Sequence, residues 1–150
     1  MPEKEKTELA VDLGRAVAEM RNHINFLLQE KISVHAPRIS FEMVEILACL
    51  WKEDGINQQQ LAALTVKDKS SITHLVAKLE RESLISRMGD ERDRRNKLVY
   101  LTAAGRQLRR KLYPWVQQVY EMAVAGISGE EIDACLQLVR KITENVQTTV

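Results

Sequence analysis

Hydrophobic residues recur along most of this chain at helical spacing, and one stretch near residue 90 breaks that rhythm. Leu9, Leu13, Val17, Met20, Ile24 and Leu27 form a first stripe, with Glu8, Asp12, Arg15 and Glu19 off it, which predicts a helix over residues 7–30. Residues 31–39 are expected to be irregular, because Pro37 pushes Ala36 away from helical geometry. A second helix is predicted from about Ser40 to Lys52, carrying Phe41, Val44, Leu47, Leu50 and Trp51, and Gly55 ends that segment. Asn57 and Gln60 then have the spacing of a capping box, with Ile56 placed to staple onto Leu61, so a short helix is expected over 57–64. Asp68 is placed to cap another helix over 68–82, whose apolar stripe is Ile72, Leu75, Val76 and Leu79.

The period then changes. Residues 84–88 and 97–101 are rich in Leu, Ile, Val and Tyr and read as the two strands of a hairpin, while 89–96 are too polar and too charged for a core. Thr102 is expected to cap a long helix running to about Ala125 and stopped by Gly126, with Pro114 inside it removing one backbone donor and kinking it. Ser128 and Glu131 make a second capping box. It opens a last helix with the stripe Ile132, Cys135, Leu136, Val139, Ile142 and Val146. The chain has no internal repeat and no low-complexity segment.

A short helix, an amphipathic helix and a charged hairpin, in that order, make a winged helix-turn-helix. Opposite its apolar stripe the second of these helices carries Ser70, Ser71, Thr73, His74 and Lys78, preceded by Lys69. Such hydrogen-bonding groups suit a DNA major groove, where base edges and phosphates supply partners. The hairpin has Arg87 on its first strand and Arg92, Arg94 and Arg95 at its tip, among Asp90, Glu91 and Asp93. These acids can pair with some of the arginines and shape the tip, leaving another to reach a phosphate or a narrow minor groove. Taken singly, a polar helix face is more often merely solvated and a charged loop more often a surface turn. Their order favours DNA.

Those residues also carry a resemblance. Asp68-Lys-Ser-Ser, Leu79-Glu-Arg-Glu, Leu84-Ile85 and above all Asp90-Glu-Arg-Asp-Arg-Arg95 followed by Leu101-Thr102 and Gly105 resemble the multiple antibiotic resistance regulator (MarR) family of bacterial transcription factors. The flanking helices match in number and order, so the resemblance covers nearly the whole chain. It implies a mostly α fold: a winged helix-turn-helix DNA-binding lobe over about 40–101, with a two-stranded β-wing, and a helical dimerisation lobe from helices over about 7–30 and 102–147. It further implies a small anionic aromatic effector held between the lobes. His23, Arg38 and Trp51 are the candidates to bind it, beside Tyr113 and Trp115, although core packing or a solvated surface is the commoner role of each.

Composition adds boundaries. At 150 residues the chain is one domain's worth, and no apolar run approaches the 18 or so residues of a membrane span. The charged start is not a signal peptide, and Cys49 and Cys135 both fall in apolar helical patterns, so packed, reduced thiols in a cytoplasmic protein are expected. Net charge is only +1, but residues 85–111 hold nine positive and three negative side chains, leaving −5 for the remainder. A basic zone on an acidic body orients a protein on DNA.

The first and last helices carry apolar stripes wider than a small lobe can cover. Leu9, Leu13, Val17, Leu136, Val139 and Ile142 are therefore expected to meet a second copy, in preference to an intramolecular bundle. A two-fold dimer presents two recognition helices to half-sites about one helical turn apart. Catalysis finds no footing: His23, His35 and His74 lie on separate elements without metal-ligand spacing to the cysteines, and no phosphate loop or nucleophile elbow is present. No enzyme activity, metal or cofactor is expected. The expected function is a sequence-specific, homodimeric DNA-binding repressor of a palindromic operator, released by a small molecule. Two alternatives stand: a thiol-based oxidant sensor, and a DNA-binding module without a switch. The sensor needs an exposed thiol beside a cation, and the first helix, where the resembled family's peroxide sensors keep theirs, has no cysteine.

Overall fold

The computed structural model describes residues 2–89, 91–93 and 95–149, with Lys4 as backbone alone. Its elements are α1 (Glu3–His35), α2 (Phe41–Lys52), β1 (Ile56–Asn57), α3 (Gln58–Thr65), α4 (Lys69–Arg81), β2 (Ile85–Gly89), β3 (Lys97–Leu101), α5 (Ala103–Ala123) and α6 (Gly129–Gln147). The fold is mostly α, with the helix-turn-helix and hairpin in the predicted order.

Local chemistry sets most boundaries. The side chains of Ser40, Asn57, Asp68, Thr102 and Ser128 each accept a backbone N–H from the first turn of the helix that follows. Asn57–Gln60 and Ser128–Glu131 close in both directions as capping boxes. Each cap satisfies a donor that the helix start leaves without an intrahelical acceptor.

Four expectations are corrected. The first helix does not end at residue 30. Pro37 constrains only its neighbour, so helical hydrogen bonding persists through His35, Ala36 breaks away at φ −146°, and Ile32 is buried. The sheet has three strands in the order β1-β3-β2, since Ile56 pairs with Val99 and Asn57 with Leu98 beside the hairpin. Ile56 is thus a strand residue in the core as well as a neighbour of the cap. The fifth helix holds Pro114 within it, as expected, but ends at Ala123, two residues earlier than expected. Last, Cys135 is exposed, because α6 buries no residue at all.

The core gathers Leu28, Ile32 and Ile39, the inner faces of α2 and α4, Leu61, the strand residues Ile85 and Val99, and Leu112 and Val119 of α5. It is one cluster. The second half of α1 and most of α5 therefore share a core with the helix-turn-helix and wing, and only α6 stands outside it.

Two polar ties fix how the lobe is held. Glu45 of α2 pairs with Lys67 in the turn before α4 at 2.9 Å and with Arg21 of α1 at 3.1 Å. Asp54 Oδ1 accepts the Leu101 N–H at 2.9 Å, and Oδ2 lies 3.5 Å from Arg106, joining the end of α2 to the exit from the wing. At that exit Gly105 is required by close approach: a Cβ there would run into the Leu84 carbonyl oxygen. The Gly105 carbonyl meanwhile accepts the Trp51 indole N–H at 2.9 Å.

Candidate nucleic-acid interface

Recognition helix α4 divides cleanly. Ile72, Leu75, Val76 and Leu79 are buried, while Lys69, Ser70, Ser71, Thr73 and His74 are exposed and Lys78 is half-buried. The structure thus gathers the expected reading residues on one exposed face. Their hydroxyls are not equally available. Ser71 gives its N–H to Asp68 Oδ1 at 2.7 Å and its hydroxyl to Oδ2 at 3.1 Å, and these bonds, the backbone one foremost, hold the Asp68 carboxyl below its ordinary pKa. Thr73 Oγ1 donates to the Lys69 carbonyl at 2.9 Å and accepts from Gln58 Nε2 at 3.2 Å. Gln58, at the start of α3, was not visible as part of this face from periodicity, because its approach to α4 is a tertiary contact. His74 has no hydrogen-bond or ion-pair partner among the described residues and presents its ring outward.

Of the wing residues, Arg92 and Arg95 are exposed, and Arg94 and Asp90 lie outside the described residues. Asp93 organises the tip: its carboxylate accepts the Arg95 N–H at 3.0 Å and its carbonyl accepts the Asn96 N–H at 3.0 Å. Arg87 faces back toward α4. Its Nε and Nη2 donate to the two carboxylate oxygens of Glu80 at 2.9 and 3.3 Å. That fork lowers the Glu80 pKa and raises that of Arg87, each chiefly through the hydrogen bond. The wing stem is therefore braced to the recognition helix.

The three expected effector residues are not brought together. His23 is on the open face of α1, 3.8 Å from Glu19, and Arg38 lines a groove beside the end of α4. Trp51 lines two clefts near α5, of about 690 and 640 Å³, with Arg109 and Tyr113 common to both. These residues sit on different faces of the lobe, a separation that spacing along the chain does not reveal. Trp115, the other aromatic candidate, stacks on His35 at 3.9 Å with Lys31 over its ring, tying α5 to α1.

Cys49 is arranged poorly for oxidant sensing. Burial pushes the Cys49 thiol pKa up, and Glu45 pushes it further, both against thiolate formation. Among the described residues no cluster of His, Cys, Asp or Glu has the makings of a metal site, and no helix is long and apolar enough to cross a membrane.

Comparison with known proteins agrees with this geometry. The MarR family pattern matches residues 39–97, from the loop before α2 to the return strand of the wing. The transcriptional regulator HosA of Escherichia coli O111:H- is 28% identical over 130 residues, covering 82% of this chain and 96% of HosA. CouR from Rhodococcus jostii RHA1, solved bound to p-coumaroyl-CoA, shares the fold with a TM-score of 0.77, 23% identity and coverage of 89% and 93% of the two chains. A mutant MarR from Escherichia coli, solved with operator DNA, superposes with a TM-score of 0.78, 20% identity and coverage of 89% and 94%. Residues 39–97 thus match the MarR family pattern, the chain is similar over most of its length to winged helix-turn-helix proteins of that family, and it is a DNA-binding transcriptional regulator.

Proposed function

We propose that the chain works as a homodimeric repressor: two copies joined through α1 and α6 bind a palindromic operator in the cytoplasm, and a small anionic aromatic compound releases them. The observation that carries the dimer is α6 itself. Its 19 residues include none that is buried, and Leu136 and Ile142 remain 42% and 41% exposed, with Leu9 at 53% on α1. An apolar face of this extent on a single chain marks an interface. A second copy covers it and brings two recognition helices onto one face of the duplex. In that assembly α4 lies in the major groove, with Ser70, Ser71, Thr73 and His74 toward the bases and Lys69 and Lys78 toward phosphates. Arg92, Arg94 and Arg95 reach along the backbone or into the flanking minor groove.

For the effector, the 640 Å³ cleft between α1, α2 and α5 is the better site. Trp51, Tyr113 and Tyr120 supply aromatic walls, and Arg21 and Arg109 supply charge for a carboxylate. CouR, similar in fold, holds p-coumaroyl-CoA. His23 and Arg38 have no part in this site.

Footprinting the DNA upstream of the chain's own coding region, with light scattering of the free protein, tests the reading. A protected palindrome with half-sites about one helical turn apart, and a dimeric mass, are the expected results. Protection without symmetry, or a monomeric mass at binding concentrations, overturns it. Aromatic carboxylates screened by Trp51 and Trp115 fluorescence should include one that weakens the footprint; an operator complex indifferent to all of them points to a regulator without a switch.

A further inference from the structure

The sequence places Arg38 in an irregular connection and Arg81 at the end of the recognition helix, and neither belongs to the expected DNA contacts. The structure brings them together. Arg38, Lys78 and Arg81 line one groove of about 420 Å³, formed where the α1–α2 connection passes the last turn of α4. Among the described residues none of the three cations has a side-chain hydrogen bond or an ion pair. The only acid lining the groove is Glu82, so its side chains carry a surplus of two positive charges, and Ser40 and Gln29 add polar atoms to its wall.

The groove is continuous with the reading face. Ser71, His74, Lys78 and Arg81 are spaced by three, four and three residues, which puts them on one stripe of α4. From Ser71 to Arg81 the helix advances about 15 Å at 1.5 Å per residue. The major groove is about 12 Å wide. A helix whose N-terminal half meets base edges therefore carries its last turn to the phosphate rim of the groove, where Arg38 arrives from a second element.

We propose that Arg38, Lys78 and Arg81 form a phosphate-binding groove that grips the DNA backbone beside the recognition helix, a third anchor besides that helix and the wing. This rests on the DNA-binding reading and extends it to two residues outside the expected DNA contacts, Arg38 and Arg81. It also gives Arg38 a different partner from the effector expected of it. Two cations from different elements on one phosphate fix the angle at which α4 enters the groove, since a helix held only along its own length can pivot.

The competing account is that Lys78 and Arg81 merely complement the negative end of the α4 dipole, with Arg38 solvated. The two accounts separate on salt dependence. Each phosphate contact contributes about 0.9 to the slope of log affinity against log salt, so between 50 and 200 mM salt it adds roughly 3.5-fold to the loss of binding. The test is fluorescence anisotropy of the full-length protein on a non-specific duplex of about 30 base pairs and on the footprinted operator, over that salt range. Variants are Arg38→Ala, Arg81→Ala, the double variant and Arg38→Lys, each checked by thermal unfolding. The slope should fall by about one for each alanine, on both duplexes alike, and Arg38→Lys should recover it. Unchanged slopes for both single variants overturn the proposal, as does a loss confined to thermal stability. A third overturning result is that inorganic phosphate at millimolar concentration protects Arg38 from arginine-specific modification while duplex DNA does not, since the groove then serves a free anion. If the parent protein binds neither duplex, it is the DNA-binding reading that has failed, and the variants are not needed to show it.

Discussion

Recognition helix α4 and terminal helix α6 carry the same kind of apolar stripe and meet opposite fates. On α4, Ile72, Leu75, Val76 and Leu79 are all at most 3% exposed, packed under α2 and α3. On α6, Leu136, Ile142 and Val146 are 42%, 41% and 60% exposed. A stripe at helical period announces that a face is to be covered, and does not say by what. The DNA-binding lobe covers its own faces, so its geometry is set within one chain. The terminal helix is covered by nothing within the described chain, and on the proposed reading its geometry is set by assembly.

The largest effect should come from breaking the second half of that comparison. Val139 is the one half-buried residue of α6 between the exposed Leu136 and Ile142. In a two-fold assembly Val139→Asp buries an unpaired charge twice, at a cost that outweighs most associations. Monomers by light scattering, loss of tight binding to a full palindrome and an intact α-helical spectrum are expected. A Val139→Asp protein that stays dimeric and fully active would place the subunit contact elsewhere and remove the contrast.

The complementary change belongs in the lobe. Leu79 is fully buried between the recognition helix and the core. Leu79→Ala removes three carbons and leaves a cavity, and should cost about 2–5 kcal/mol. Measured by urea unfolding at fixed protein concentration, the variant should be destabilised yet dimeric wherever it remains folded. If the dimer dissociates while the fold holds, the two regions are not energetically separate.

Strain offers a smaller handle on the lobe. Val66, in the turn between α3 and α4, has φ +53° and is 87% exposed. A β-branched residue in the left-handed region costs roughly 1–2 kcal/mol, and a side chain so exposed returns little by packing. Val66→Gly relieves the strain while loosening the unfolded chain by roughly 0.5–1 kcal/mol. A rise of a few degrees in melting temperature is expected. A fall would mean that the valine makes a contact across the turn worth more than the strain.

What the sequence made legible was local. Asp68, Asn57 with Gln60, Ser128 with Glu131 and Thr102 each act within four residues, so their spacing alone identified the caps. The buried stripe of α4 was equally clear, because helical period and burial coincide when a lobe packs on itself. The pairing of Ile56 with Val99 spans more than forty residues, and nothing in a two-residue strand signals it. Arg38 and Lys78 are forty residues apart and meet only because α1 runs to His35 before the chain turns. Cys135 looked packed for the reason α6 looked packed: both lie on an apolar stripe, and nothing within the described chain covers it.

The smallest predicted effect tests whether the lobe's two DNA-facing elements move as one. Arg87 depresses the Glu80 pKa, so the folded value lies below the unfolded one of about 4.3. A carboxylate of this kind contributes stability above its unfolded pKa and loses it as pH falls through the folded value. The Glu80 side chain is 42% exposed, so solvent screening limits the contribution to a few tenths of a kcal/mol, at most about 1. Glu80→Gln should therefore be slightly less stable than the parent at pH 7, with the two unfolding midpoints converging as pH drops below about 4. A gap that persists in acid would mean that glutamine disturbs packing instead of charge. On DNA, a loosened wing should bind several-fold more weakly with an unchanged salt slope, because no phosphate contact has been removed. The opposite result, tighter binding with a slope steeper by about one, would show that Arg87 contacts DNA once Glu80 releases it, and that the fork restrains a DNA-binding arginine instead of bracing the wing.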